Sequence, residues 1–158
     1  MTSRGATLLT FHGLAVLFLG LVAGAPYGAA IVGGWGDEPV RAWKLAHMEG
    51  VQNGILLVAL AGVSRFVVLG ARAESVVVWG AALAAWGNVV GATLGALTGY
   101  RGLAPEGPLA NWLVFVAFMF GMWGVLIAVP VAAWGALARL RARDDATDTE
   151  PARRASAR

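Results

Sequence analysis

AHMEGVQNGILLVALAGV, residues 46–63, joins two kinds of sequence in one stretch. The second half, ILLVALAGV, has the composition of a lipid-crossing helix. The first half places a histidine, a glutamate, a glutamine and an asparagine within seven residues. A chain inside a bilayer has no water for its N–H and C=O groups, so a helix that satisfies them internally is the economical form. The polar half then needs a reason to be there, because an acid or amide facing lipid costs several kcal/mol unless paired.

Reading outward, the same character recurs. Of 158 residues, 58% are hydrophobic and only 13% charged, too apolar for a soluble core of this size. Four charge-poor runs stand out, at about residues 8–31, 45–69, 75–97 and 109–137. Each reaches the roughly 20 residues a helix needs to cross about 30 Å of hydrocarbon. The expectation is an all-α membrane protein whose domain spans 1–143, with four transmembrane helices in an up-down antiparallel bundle. Short connections such as GARAE (70–74) favour antiparallel neighbours. Residues 144–158, rich in Asp, Thr, Arg and Ala, read as a disordered cytoplasmic tail.

The net charge of +3 does not point to nucleic acid, because topology explains it. Arg4, Arg65, Arg72, Arg139, Arg141, Arg143, Arg153, Arg154 and Arg158 fall on one side of such a bundle. Only Arg41, Lys44 and Arg101 fall on the other. The positive-inside tendency then puts both termini in the cytoplasm of a multi-pass protein of the cell inner membrane, with lipid as a partner. The absence of cysteine removes disulfides, thiolate ligands and a cysteine nucleophile together. No C-x-x-C-H, H-E-x-x-H, paired Glu-x-x-His, P-loop or G-x-S-x-G motif is present.

Glycine recurs every fourth residue: Gly20, Gly24 and Gly28 in the first run, Gly50 and Gly54 in the second, and Gly87, Gly91, Gly95 and Gly99 in the third. Such stripes let helix backbones approach closely in lipid; an oligomer interface or room for a flat cofactor are the other uses. Depth counting at 1.5 Å per residue puts Asn53 and Asn88 at one level, roughly 12–14 Å below the outer boundary. Thr93 falls nearer the depth of His47 and Glu49. These groups and Gln52 are expected to line one outward-opening polar pocket. The bland alternative is interhelical glue: Asn53 bonded to Asn88, and Glu49 paired with Arg41, Lys44 or Arg101. His47, with Gly50 and Gly54 on its own helix face, suits axial ligation of a flat macrocycle such as haem.

With A-H-M-E-G-V-Q-N-G at 46–54, F-H-G at 11–13 and W-G-N at 86–88, the sequence resembles hydroxylaminobenzene mutases, a relation that extends to styrene oxide isomerases. The resemblance covers about residues 8–138, nearly everything but the tail. It implies a haem b enzyme in which ferric iron, held by His47, acts as a Lewis acid on the oxygen of a small aromatic substrate. Asn53 would orient that substrate, with Asn88 supporting the site and Glu49 and Thr93 beside it. The mutases move oxygen from nitrogen to the adjacent ring carbon of an arylhydroxylamine; the isomerases turn an aryl epoxide into an aldehyde. The isomerases carry a tyrosine four residues after the W-x-N asparagine, where this chain has Ala92. With Glu49 in the H-x-E-G pattern, that departure favours the mutase reaction. The alternatives are epoxide isomerisation and a non-catalytic membrane subunit or haem carrier. A homo-oligomer is expected, with a trimer as one arrangement.

Overall fold

Thr2 starts the first helix by accepting a hydrogen bond from Gly5 N at 3.1 Å with its hydroxyl. This satisfies one of the amides a helix start leaves open. The computed structural model describes the backbone over residues 1–156 and the side chains over 1–143. Four α-helices follow in order: α1 (Ser3–Val32), α2 (Asp37–Val63), α3 (Ala71–Thr98) and α4 (Leu109–Ser156). A single 3-10 turn, Ser64–Phe66, closes the second. The disorder expected of residues 144–158 lies outside the described side chains.

Three helices are long and apolar enough to cross a membrane: Ser3–Val32, Ala71–Thr98 and Leu109–Arg143 among the described residues. α2 does not meet that standard, contrary to the expected span at 45–69. It begins eight residues earlier, so its first two turns carry Asp37, Glu38, Arg41 and Lys44. Asp37 and Glu38 suit a helix N-terminus, where the backbone dipole favours negative charge. The helix also stops six residues early, because the chain tightens into the 3-10 turn and Val67 becomes extended.

Consecutive helices run antiparallel, and the α1–α2 and α3–α4 pairs are set by small residues. The backbones of Gly20 and Gly50 meet where α1 crosses α2, and a Cβ built on Gly50 would stand 2.6 Å from Gly20 N. On the other pair, a Cβ on Gly87 would stand 2.6 Å from both Ala117 O and Gly121 N of α4. These approaches leave no room for a side chain on either helix. The glycine stripes therefore serve packing within one chain at these points.

α3 is the centre of the assembly. Leu9, Val16, Leu57, Val78, Ala85 and Val89 form the buried core shared by α1, α2 and α3, and Ala23, Ala46 and Ala92 form a second layer towards the other end. α4 rests chiefly on α3, so the four helices do not close into a ring. Phe11 and Phe18 of α1 and Trp123 and Leu126 of α4 are all more than half exposed. An apolar exterior of this extent is what a lipid-embedded protein presents.

The chain ends and turns are held by polar contacts. Thr2 donates from its amide and its hydroxyl to the buried carboxyl of Glu74 at the start of α3. The Met1 ammonium donates to Val67 O at 2.7 Å, and Val68 N donates to Gly135 O at 3.1 Å. At the opposite end, α3 stops at Gly99, whose φ of 77° is left-handed and costs glycine nothing. Asn111 then organises the 100–108 loop. Its carbonyl accepts from Gly102 N at 3.0 Å, and its amide donates to Ala104 O and Glu106 O at 2.8 Å each.

Candidate active site

Asn53 and Asn88 meet, as depth counting requires: Asn88 Nδ2 donates to Asn53 Oδ1 at 3.3 Å. Asn53 is buried, and its own amide group points back along α2. Asn53 Nδ2 donates to Glu49 Oε2 at 2.8 Å and to the Glu49 main-chain oxygen at 2.9 Å. The three residues form a directed chain, Asn88 to Asn53 to Glu49, built from i,i+4 spacing on α2 and one crossing to α3. Glu49 forms no ion pair among the described residues, and Arg41 instead binds Glu38 at 2.6 Å. Both amide hydrogens of Asn53 are thereby engaged by Glu49 oxygens.

Two other residues of the expected pocket stand apart. Gln52 is exposed. Thr93 is half-buried but sits about 140° round α3 from Asn88 at 100° per residue, outside the hydrogen-bonded group. Asn88 also touches α4, where a Cβ on Gly121 would run into its carboxamide oxygen.

His47 faces α1. Its Nδ1 lies 2.8 Å from Gly20 O, its ring rests over Gly24, and Tyr27 stacks on it with centroids 6.2 Å apart and planes 19° from parallel. A carbonyl can only accept, so Nδ1 carries the proton and the lone pair of the neutral ring is at Nε2. That is the tautomer a metal-binding imidazole adopts when a backbone carbonyl orients it. No group of three or more His, Asp or Glu side chains that could enclose a bare ion exists among the described residues. His47 would hold, through Nε2, a metal carried in its own macrocycle. Gly50 and Gly54 do not add to it: Gly50 lies against the Gly20 backbone and Gly54 against the Leu17 backbone, so α1 fills the face expected to receive the cofactor.

His47 and the amide chain occupy different sides of α2. At 100° per residue Asn53 lies about 120° from His47 and Glu49 about 160°. His12, the other histidine, is far from both. Its Nδ1 accepts from Trp86 Nε1 at 3.2 Å, and Phe11 and Trp79 meet it edge-on.

A cavity of about 520 Å³ opens between α2, α3 and α4 near the C-terminal end of α3. This is within the usual range for small-molecule sites. Gly91, Ala92 and Ala96 of α3, Leu45 of α2 and Phe118 of α4 line it, together with the charged Glu38, Arg41 and Arg101. Ala92 is one turn from Asn88, Leu45 one turn from Glu49, and Phe118 nearly one turn from Gly121. All three helices therefore lead from the cavity to the amide chain.

Tyr27, Gly121 and the roles of Glu74 and Asn111 were not found in the sequence. Gly121 and Gly124 sit three apart in α4, a small-residue signal that the stripes in the other three helices overshadowed.

A comparison with curated proteins gives no match. Among protein families, the one described as styrene oxide isomerase matches residues 6–137, which takes in the amide chain, His47 and the cavity walls. This three-helix core with its α4 flank, all but the ends of the chain, places the protein in the styrene oxide isomerase family.

Proposed function

We propose that the protein is a haem-dependent isomerase of the inner membrane, spanning it four times with both termini in the cytoplasm. Its reaction would be of the hydroxylaminobenzene mutase type, rearranging an arylhydroxylamine to an aminophenol. The observation that carries this reading is the Asn88–Asn53–Glu49 chain lying one helical turn below an apolar cavity. An aryl ring fits the cavity, and its oxygen substituent would reach the polar layer. Ala92, in the position of the isomerases' tyrosine, is among the residues lining the cavity.

His47 would hold the haem through Nε2, with Gly20 O fixing the ring and Tyr27 covering it. When bound, haem b supplies Lewis-acid chemistry, drawing electron density from an oxygen without a proton. The chain's own residues bind and orient. Leu45 and Phe118 hold the ring and exclude water, which limits capture of cationic species by solvent. The amide chain directs the oxygen. In the balanced reaction the N–O bond breaks, the adjacent ring carbon gains the oxygen and loses its proton, and nitrogen gains one. Because His47 and the amide chain face different sides of α2, one chain does not present both to one substrate. A homo-oligomer, of which a cyclic trimer is the simplest ring beyond a dimer, brings the second face from a neighbouring copy.

The family match favours a second reading, conversion of an aryl epoxide to an aldehyde. Product analysis of detergent-purified protein with phenylhydroxylamine and with styrene oxide separates the two. The purified protein is expected to show a Soret band that His47→Ala loses. A colourless, well-folded preparation without turnover overturns the enzyme reading and leaves a non-catalytic subunit; a coloured one that only cycles redox state is a haem carrier.

A further inference from the structure

The cavity lining changes character along its length. Counting in antiparallel register from the Asn53–Asn88 contact, Leu45 falls level with Ala96, and Arg41 with the end of α3. Leu45, Ala92, Ala96 and Phe118 give the part nearer the amide chain an apolar surface, whereas Glu38, Arg41 and Arg101 bring charge to the other. Two of those charges cancel, because Arg41 binds Glu38 at 2.6 Å. Arg101 has no such partner: among the described residues its side chain makes no ion pair, hydrogen bond or ring contact. Its backbone, by contrast, is fixed on both sides. Gly99 and Gly102 hold left-handed φ values of 77° and 60°, and Gly102 N donates to Asn111 Oδ1 at 3.0 Å. A Cβ on Gly102 would stand 2.7 Å from Phe115 N of α4. A charge just past the end of α3 complements the helix dipole wherever it points; this one also lines the cavity. From Ala92 to the end of α3 at Thr98 is about 9 Å of rise, more than a lone aryl ring occupies.

We propose that the substrate carries a carboxylate on the side of its ring opposite the reacting group, and that Arg101 selects it. This rests on the reading of the cavity as the substrate chamber. A para acid would seat its ring against Ala92 and Ala96 and bring its carboxylate to the guanidinium, whose fork matches the two carboxylate oxygens. A neutral aryl compound uses the apolar part alone. Apolar walls beside the pair strengthen the attraction over that in open water.

The test measures binding of 4-aminobenzoate and 4-aminobenzamide to the detergent-purified full chain by equilibrium dialysis at neutral pH. The two probes share a shape and differ in charge. Wild type should bind the acid about tenfold more tightly than the amide, the effect of one hydrogen bond to a charged group. Arg101→Gln should bring that ratio close to one. Arg101→Lys keeps the charge without the fork, and should retain a reduced preference. Added salt should shrink the wild-type ratio. A wild-type ratio near one, no binding of either probe, or a ratio unchanged in Arg101→Gln overturns the proposal. Loss of haem from Arg101→Gln would assign the guanidinium to a carboxylate of the cofactor, and overturns it equally. Turnover separates this site from the functional reading. 4-Hydroxylaminobenzoate should show a lower KM than phenylhydroxylamine. If the acid preference holds but neither compound is rearranged, the mutase reading fails and the acid site stands. If phenylhydroxylamine is rearranged and the preference is missing, the mutase reading stands and the acid site falls.

Discussion

Gly50→Ala tests the packing that holds His47. The new Cβ would stand 2.6 Å from Gly20 N and meet the Gly20 backbone, which has no flexible end to move aside. Ordinary contact is about 3.5–4.0 Å, so α1 must retreat by about 1 Å. The same movement stretches the 2.8 Å contact from His47 Nδ1 to Gly20 O beyond hydrogen-bonding range. Forcing a methyl into a close-packed contact costs about 1–3 kcal/mol, and the hydrogen bond contributes about 0.5–1.5 kcal/mol. Alanine recovers up to about 1 kcal/mol of helix propensity. The net expectation is a loss of about 2 kcal/mol, together with a weakened Soret band as His47 loosens. Unfolding in mixed detergent and SDS, followed by tryptophan fluorescence, measures the first quantity. Gly28→Ala is the control, because a Cβ there meets nothing within 4 Å. A Gly50→Ala midpoint equal to wild type, or an equal loss in Gly28→Ala, refutes the reasoning.

Gly121→Ala pushes the Asn88 carboxamide from its place, and should cut turnover while leaving the Soret band intact, as rates and spectra on one preparation would reveal. Asn111→Ala removes three hydrogen bonds from the α3–α4 loop and should expose residues 100–108 to limited proteolysis, with far-UV helicity unchanged; equal cleavage rates would contradict it. Glu74→Ala leaves the Thr2 amide and hydroxyl without acceptors and should cost about 1–3 kcal/mol in the same SDS titration. A neutral result there would show that the N-terminus contributes nothing to stability.

The helical class and the meeting of Asn53 with Asn88 were legible because both follow from counting: run length against bilayer thickness, and rise per residue against depth. The face of a helix was harder. Residues 47, 50 and 54 were seen to share a side of α2, but sequence does not say whether a neighbouring helix or a ligand lies there, and α1 takes it. Gln52 and Thr93 share the depth of the polar group but not its direction, and depth alone cannot exclude them. Donor polarity was invisible for a different reason. Asparagine reads the same whichever way its amide is turned, and only the Glu49 oxygens fix the turn. Glu74 looked like an ordinary loop charge because its partner, Thr2, lies 72 positions away.

The acidic and basic start of α2 has a consequence for biogenesis. A segment that polar is a poor candidate for partitioning into lipid by itself as it leaves the translocation machinery. Its seam with α1, glycine against glycine, supplies what its own hydropathy does not. The first two helices should therefore enter the bilayer together as a preformed hairpin, and a chain in which that seam is blocked should leave α2 stranded at the surface, open to membrane-impermeant labels.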